Sequence, residues 1–112
     1  MRIALVFASA IALLGFRSSE SRTAITATVE IKTFQFAPDT LRIQAGTRVT
    51  WMNRDEIEHT VTAGAPDARA TTFDKALGGK GSTYEVAFDH PGTFGYFCDR
   101  HQFMRGTIIV TR

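Results

Sequence analysis

From residue 28 to the C-terminus, apolar and polar side chains alternate one by one in short runs that Gly or Pro brings to a stop, and no strong helical spacing replaces them. Side chains on a strand point to its two faces in turn, so each such run can bury one face and wet the other. Thr28-Val29-Glu30-Ile31-Lys32 opens the pattern, and Phe34 and Phe36 continue it to a turn at Ala37-Pro38-Asp39. Leu41-Arg42-Ile43-Gln44-Ala45 stops at Gly46, after which Val49 and Trp51 alternate with Thr50 and Met52. His59-Thr60-Val61-Thr62 is a short fourth strand. Residues 63–81 mix Gly, Ala, Pro, Asp and Lys without a sustained period and read as a surface loop, with one helical turn near residues 73–77. Tyr84, Val86 and Phe88 restart the alternation up to the turn His90-Pro91-Gly92, and Phe94 and Tyr96 carry it to Cys98. Gly106-Thr107-Ile108-Ile109-Val110-Thr111 is the last strand. About seven to eight short strands at this spacing predict an all-β chain folded as an antiparallel β-sandwich, and 112 residues suffice for one such core.

The N-terminus follows a different rule. Met1-Arg2 precede the run IALVFASAIALLGF at residues 3–16, a charged tip and an apolar segment of signal-peptide length, shorter than the roughly 20 residues that cross a bilayer. Residues 1–24 are therefore expected to be a signal peptide, cleaved after Ser19, Ser21 or Ala24, and residues 25–112 the mature domain exported to the periplasm. An uncleaved membrane anchor and a buried helix are the alternatives. No Cys lies near residue 20 to carry a lipid, so no membrane attachment is expected after cleavage. Of 13 basic and 11 acidic residues, Arg2, Arg17, Arg22 and Glu20 belong to this leader, which leaves ten of each sign. A balanced mature charge without a Lys/Arg cluster argues against a nucleic-acid partner.

Cys98 is the single cysteine, so no internal disulfide can form, and an exported chain seldom keeps an idle thiol. It is a small buried hydrophobe, a liability, or a metal or redox group. Its neighbours favour the metal. Residues 98–104 read Cys-Asp-Arg-His-Gln-Phe-Met, a C-x2-H-x2-M pattern between two strands, and His59 stands 39 residues upstream at the start of another. Taken singly, Met104 and Phe103 are core residues, His101 a satisfied polar group and His59 a strand-end histidine. Together, Cys98, His59, His101 and Met104 supply a thiolate, two imidazoles and a thioether, the donor set of a His2Cys copper site with a weak axial Met. One copper ion per chain, cycling between Cu(I) and Cu(II), is the expected cofactor. His90 reads as a solvated turn residue and Trp51 as core, because it continues the apolar face of its strand.

From Phe34 to Arg112 the sequence resembles the plastocyanin and azurin family of cupredoxins, and within it the amicyanins. Val49-Thr50-Trp51-Met52-Asn53-Arg54 and Phe103-Met104-Arg105-Gly106 carry the likeness, as does the short ligand loop. The resemblance implies a Greek-key β-sandwich with copper at one end and a role in passing electrons between larger redox proteins. Three positions depart from the pattern. Thr60 follows the first His where the amicyanins have Asn, and its hydroxyl is expected to make one bracing hydrogen bond but not the two-sided link of an amide. Arg100 and Gln102 stand where the relatives have Pro, which adds loop freedom and backbone N–H groups that need partners.

Four ligands fill the coordination of the metal and leave no open position for a substrate, so the chain is expected to be an electron carrier and not an enzyme. The alternative is an envelope copper-binding or copper-delivery protein, which would want an exchangeable Met- or His-rich site; only three Met and three His are present, one Met in the leader. A monomer is expected to dock transiently with a donor and an acceptor redox protein through an apolar surface at Phe103 and Gln102 around His101.

Overall fold

The computed structural model describes Ala4 and residues 25–112; apart from Ala4, the expected signal peptide lies outside the described residues. Among the described residues nine strands follow one another: β1 (Thr26–Lys32), β2 (Gln35–Ala37), β3 (Thr40–Gln44), β4 (Thr47–Asn53), β5 (His59–Ala65), β6 (Ala68–Leu77), β7 (Thr83–Phe88), β8 (Gly92–Phe97) and β9 (Arg105–Thr111). They form two sheets, ordered β2-β1-β4-β7 and β3-β9-β8-β5-β6, that face each other as a sandwich. No helix among the described residues is long and apolar enough to cross a membrane.

The alternation read from the sequence is what builds the core. Val29 and Ile31 of β1, Val49 and Trp51 of β4, and Ile108 and Val110 of β9 are all buried, while their immediate neighbours along each strand are more exposed. Trp51 is the centre: its ring lies 5.3 Å from Tyr96, 5.8 Å from Phe73 and 6.3 Å from Phe88, so both sheets close on it. Burying a large apolar side chain stabilises a fold by about 1.5–3 kcal/mol, and this cluster is the main store of that energy.

Three local expectations change. The sandwich is mixed and not purely antiparallel, because β1 runs parallel to β4 and β3 parallel to β9. Residues 63–81 are not a loop with a helical turn: they hold the end of β5 and the ten-residue β6, an edge strand. Only Phe73 and Leu77 of β6 are buried, four residues apart, a spacing that a helix and a strand satisfy equally. A register shift between Thr62 and Gly64, with Gly64 at φ 94°, further breaks the period there. Phe34 does not continue β1. With Thr33 it forms a two-residue hairpin turn, both residues having positive φ (54° and 57°) without being Gly.

Candidate metal centre

The candidate ligands come from three places at one end of the sandwich. His59 opens β5, Cys98 follows β8, and His101 and Met104 lie on the loop that returns to β9. The loop is closed by backbone hydrogen bonds from Met104 N–H to the His101 carbonyl (2.9 Å) and from Cys98 N–H to the Met104 carbonyl (3.2 Å). Because β8 and β9 pair directly up to Phe97↔Arg105, the loop has no slack in which to open.

Cys98 Sγ lies 3.8 Å from His59 Nδ1 and 3.8 Å from His101 Nδ1, and the three ligand atoms are within 4.8 Å of one another. A metal held by nitrogen at about 2.0 Å and sulfur at about 2.3 Å, with 120° between them, would keep the two donors about 3.7 Å apart. Both sulfur–nitrogen spacings are therefore already those of a trigonal site. His59, Cys98 and Met104 are buried, and His101 alone is partly exposed. Among the described residues His90 takes no part in this cluster and is exposed in its turn.

Thr60 does more than a single bond. Its hydroxyl accepts Asp99 N–H (2.7 Å) and faces the Thr62 hydroxyl (2.9 Å), which donates to Asp74 Oδ1 (2.9 Å). With the Thr62 proton directed at Asp74, the Thr60 proton is left for Thr62, so the relay runs in one direction from the ligand loop to β6. The backbone N–H of Thr60 also donates to Cys98 Sγ, 3.3 Å away. The expected one-sided brace is thus two-sided, built from two hydroxyls and a carboxylate. At the surface, side chains tether the loop that lacks the two prolines. Arg100 pairs with Glu58 at 2.7 Å, Arg105 Nε donates to the Gln102 carbonyl at 2.9 Å, and Arg69 pairs with Asp99 while lying over the Phe97 ring.

Residues that carry no sequence signature of a ligand complete the site. Asp55 Oδ2 is 2.8 Å from His59 Nε2, and the Asp55 carboxylate also accepts the N–H groups of Thr33 (2.8 Å) and Phe34 (3.0 Å). Burial pushes this carboxyl up, but the Phe34 and Thr33 N–H groups and His59 outweigh it and hold it below the usual carboxylate range. Asn53, fully buried at the end of β4, fixes the loop: Oδ1 accepts Asp55 N–H, and Nδ2 donates to the carbonyls of Ile57 and Leu77. Phe34 lies edge-on to His59 at 5.2 Å and to His101 at 5.0 Å. The available signals were a buried-strand Asn, an Asp four residues before a candidate ligand, and a Phe out of phase with its strand. Phe34, Ile57 and Phe103, the last 72% exposed, leave large apolar surface on the loops of this end, and Gln102 is exposed beside Phe103.

Residues 23–111 match the copper binding proteins of the plastocyanin/azurin family. The chain is 30% identical to amicyanin-alpha of Methylorubrum extorquens, over 96% of this chain and 98% of that one. It is 38% identical to plastocyanin of Scenedesmus fuscus, over 67% and 85%. In structure it is similar to a purple cupredoxin from Nitrosopumilus maritimus, with a TM-score of 0.69 and 25% identity over 76% of this chain and 99% of that one. With a thiolate, two imidazoles and a buried thioether brought to one end of such a sandwich, the chain belongs to the plastocyanin/azurin family of copper binding proteins, and copper is its cofactor.

Proposed function

We propose that the protein is an exported one-electron carrier of the periplasm, with a mononuclear type 1 copper centre held by His59, Cys98, His101 and Met104. The observation that carries the reading is the 3.8 Å spacing of Cys98 Sγ from both imidazole Nδ1 atoms inside a clamped loop. Copper, when bound, supplies a Cu(I)/Cu(II) couple that takes up and gives up one electron. The chain keeps the donors in one arrangement for both states: the Thr60 relay and the β8–β9 pairing fix Cys98, and His59 is packed in the interior. Burial of three of the four donors supports retention of the metal over delivery of it.

His101 is the partly exposed ligand, and Phe34 and Phe103 flank its ring at 5.0 and 6.3 Å. This apolar collar is where donor and acceptor redox proteins would dock transiently against the monomer, with His101 as the electron exit. The test is optical. Protein fully loaded with Cu(II) is expected to be intensely coloured from thiolate-to-metal charge transfer, to bleach on reduction, and to lose the band in Cys98→Ser. A colourless oxidised protein at full occupancy overturns the assignment.

A further inference from the structure

Asp55 joins two features that have no other reason to meet. One is the ligand His59, whose Nε2 lies 2.8 Å from Asp55 Oδ2. The other is the turn between β1 and β2, in which Thr33 and Phe34 adopt left-handed backbone conformations that cost a non-Gly residue about 1–2 kcal/mol each. The same carboxylate accepts both N–H groups of that turn, at 2.8 and 3.0 Å, and so offsets part of the strain. It is in turn located by Asn53, through the bond from Asp55 N–H to Asn53 Oδ1. The turn it holds lays the Phe34 ring edge-on against both imidazoles.

An ionised carboxylate only accepts hydrogen bonds. Facing Nε2 of His59, it requires the proton on Nε2 and leaves the Nδ1 lone pair free on the side where Cys98 Sγ lies. A negative charge at this distance also makes the imidazole a stronger donor, which favours the more highly charged state of a bound metal. We propose that Asp55 is a positioning residue of the copper centre: one carboxylate selects the His59 tautomer, lowers the reduction potential, and clamps the strained turn that puts Phe34 over both histidines. This rests on His59 being a copper ligand.

The variant Asp55→Asn keeps the shape but has one acceptor oxygen for three donors. In the metal-free protein, nitrogen NMR of the His59 ring should show the pure Nε2–H tautomer in the wild type and a mixture in the variant. In titrations with copper alone, Cu(II) affinity should fall about 10–100-fold, in the range found for removal of such outer-shell partners, and Cu(I) affinity less. Each tenfold difference between the two losses raises the potential by about 59 mV. A purely structural role would weaken both oxidation states alike and leave the potential in place. If Asp55→Asn folds poorly, Thr33→Gly added to it relieves the backbone strain, and the restored protein should keep the mixed tautomer and the raised potential. An unchanged tautomer and potential in a folded variant overturns the proposal. Wild-type protein that binds no copper, or binds it without the Cys98-dependent colour, instead overturns the copper reading on which it rests.

Discussion

The Thr60 hydroxyl accepts the backbone N–H of Asp99 at 2.7 Å, tying β5 to the residue that follows Cys98. The bond continues through Thr62 to Asp74 on β6, where Thr62 and Asp74 are direct cross-strand partners. Thr60→Val keeps the side-chain shape and removes the relay, leaving the Asp99 N–H without its partner. Asp99 is itself exposed, so the loss is that of one ordinary hydrogen bond, about 0.5–1.5 kcal/mol, and chemical denaturation of the metal-free protein should show a loss of that order. Thr60→Ser, which keeps the hydroxyl, should recover most of it. Equal stability of the Val variant and the wild type would mean that the relay does not brace the loop.

Phe103 is 72% exposed, and its ring lies 6.3 Å from that of His101. Phe103→Glu should therefore slow electron exchange with a redox partner several-fold while the visible spectrum stays nearly the same, because docking and donor geometry are separate. Stopped-flow exchange at two ionic strengths checks it. An unaltered rate places docking elsewhere on the surface.

How legible the molecule was depended on how many jobs each residue has. Val49, Trp51, Ile108 and Val110 have one, filling the core, and their period-2 spacing announced it. The candidate ligands stood out because sulfur and imidazole at C-x2-H-x2-M spacing have few other uses. Phe34 and Asp55 were not, since each acts across the fold: the turn Thr33-Phe34 has none of the Gly, Asn or Asp that mark positive φ, and what stabilises it is a carboxylate 21 or 22 residues away. Strand β6 hid for a related reason. As an edge strand with eight of its ten residues exposed, it shows little alternation, and its two buried residues imitate a helical step.

Gly106 sits opposite Tyr96 in the β8–β9 ladder, and a methyl group there would run into the end of the Tyr96 ring. Gly106→Ala should destabilise the protein by about 1–3 kcal/mol or more, since overpacking a filled core forces side chains off their rotamers. A smaller residue at 96 makes room, so the loss in the double variant Gly106→Ala/Tyr96→Val should be well below the sum of the two single losses. Additive losses in urea denaturation would show that the two residues do not compete for the same space.

Tyr96 is also the residue whose ionisation should limit stability in alkali. Its side chain is 1% exposed, and among the described residues neither its hydroxyl nor the Trp51 indole N–H meets a hydrogen-bond partner. Burial pushes the phenol up to about 12; the adjacent Trp51 works against the rise and the Asp39 charge adds to it. The rise means that the folded state favours the neutral phenol, so this contribution is complete below the unfolded value near 10 and is lost as pH climbs from there through about 12. A rise from about 10 to about 12 corresponds to roughly 3 kcal/mol of stability lost by the end of that window. Tyr96→Phe removes both the ionisation and an unpartnered buried hydroxyl, whose burial itself costs about 1–3 kcal/mol. The variant should accordingly be at least as stable as the wild type at neutral pH, and its stability should fall less steeply between pH 10 and 12. Urea midpoints measured across that range decide it: parallel curves for the two proteins would assign the alkaline loss to groups other than Tyr96, and a variant much weaker at pH 7 would mean that the hydroxyl has a partner in solution.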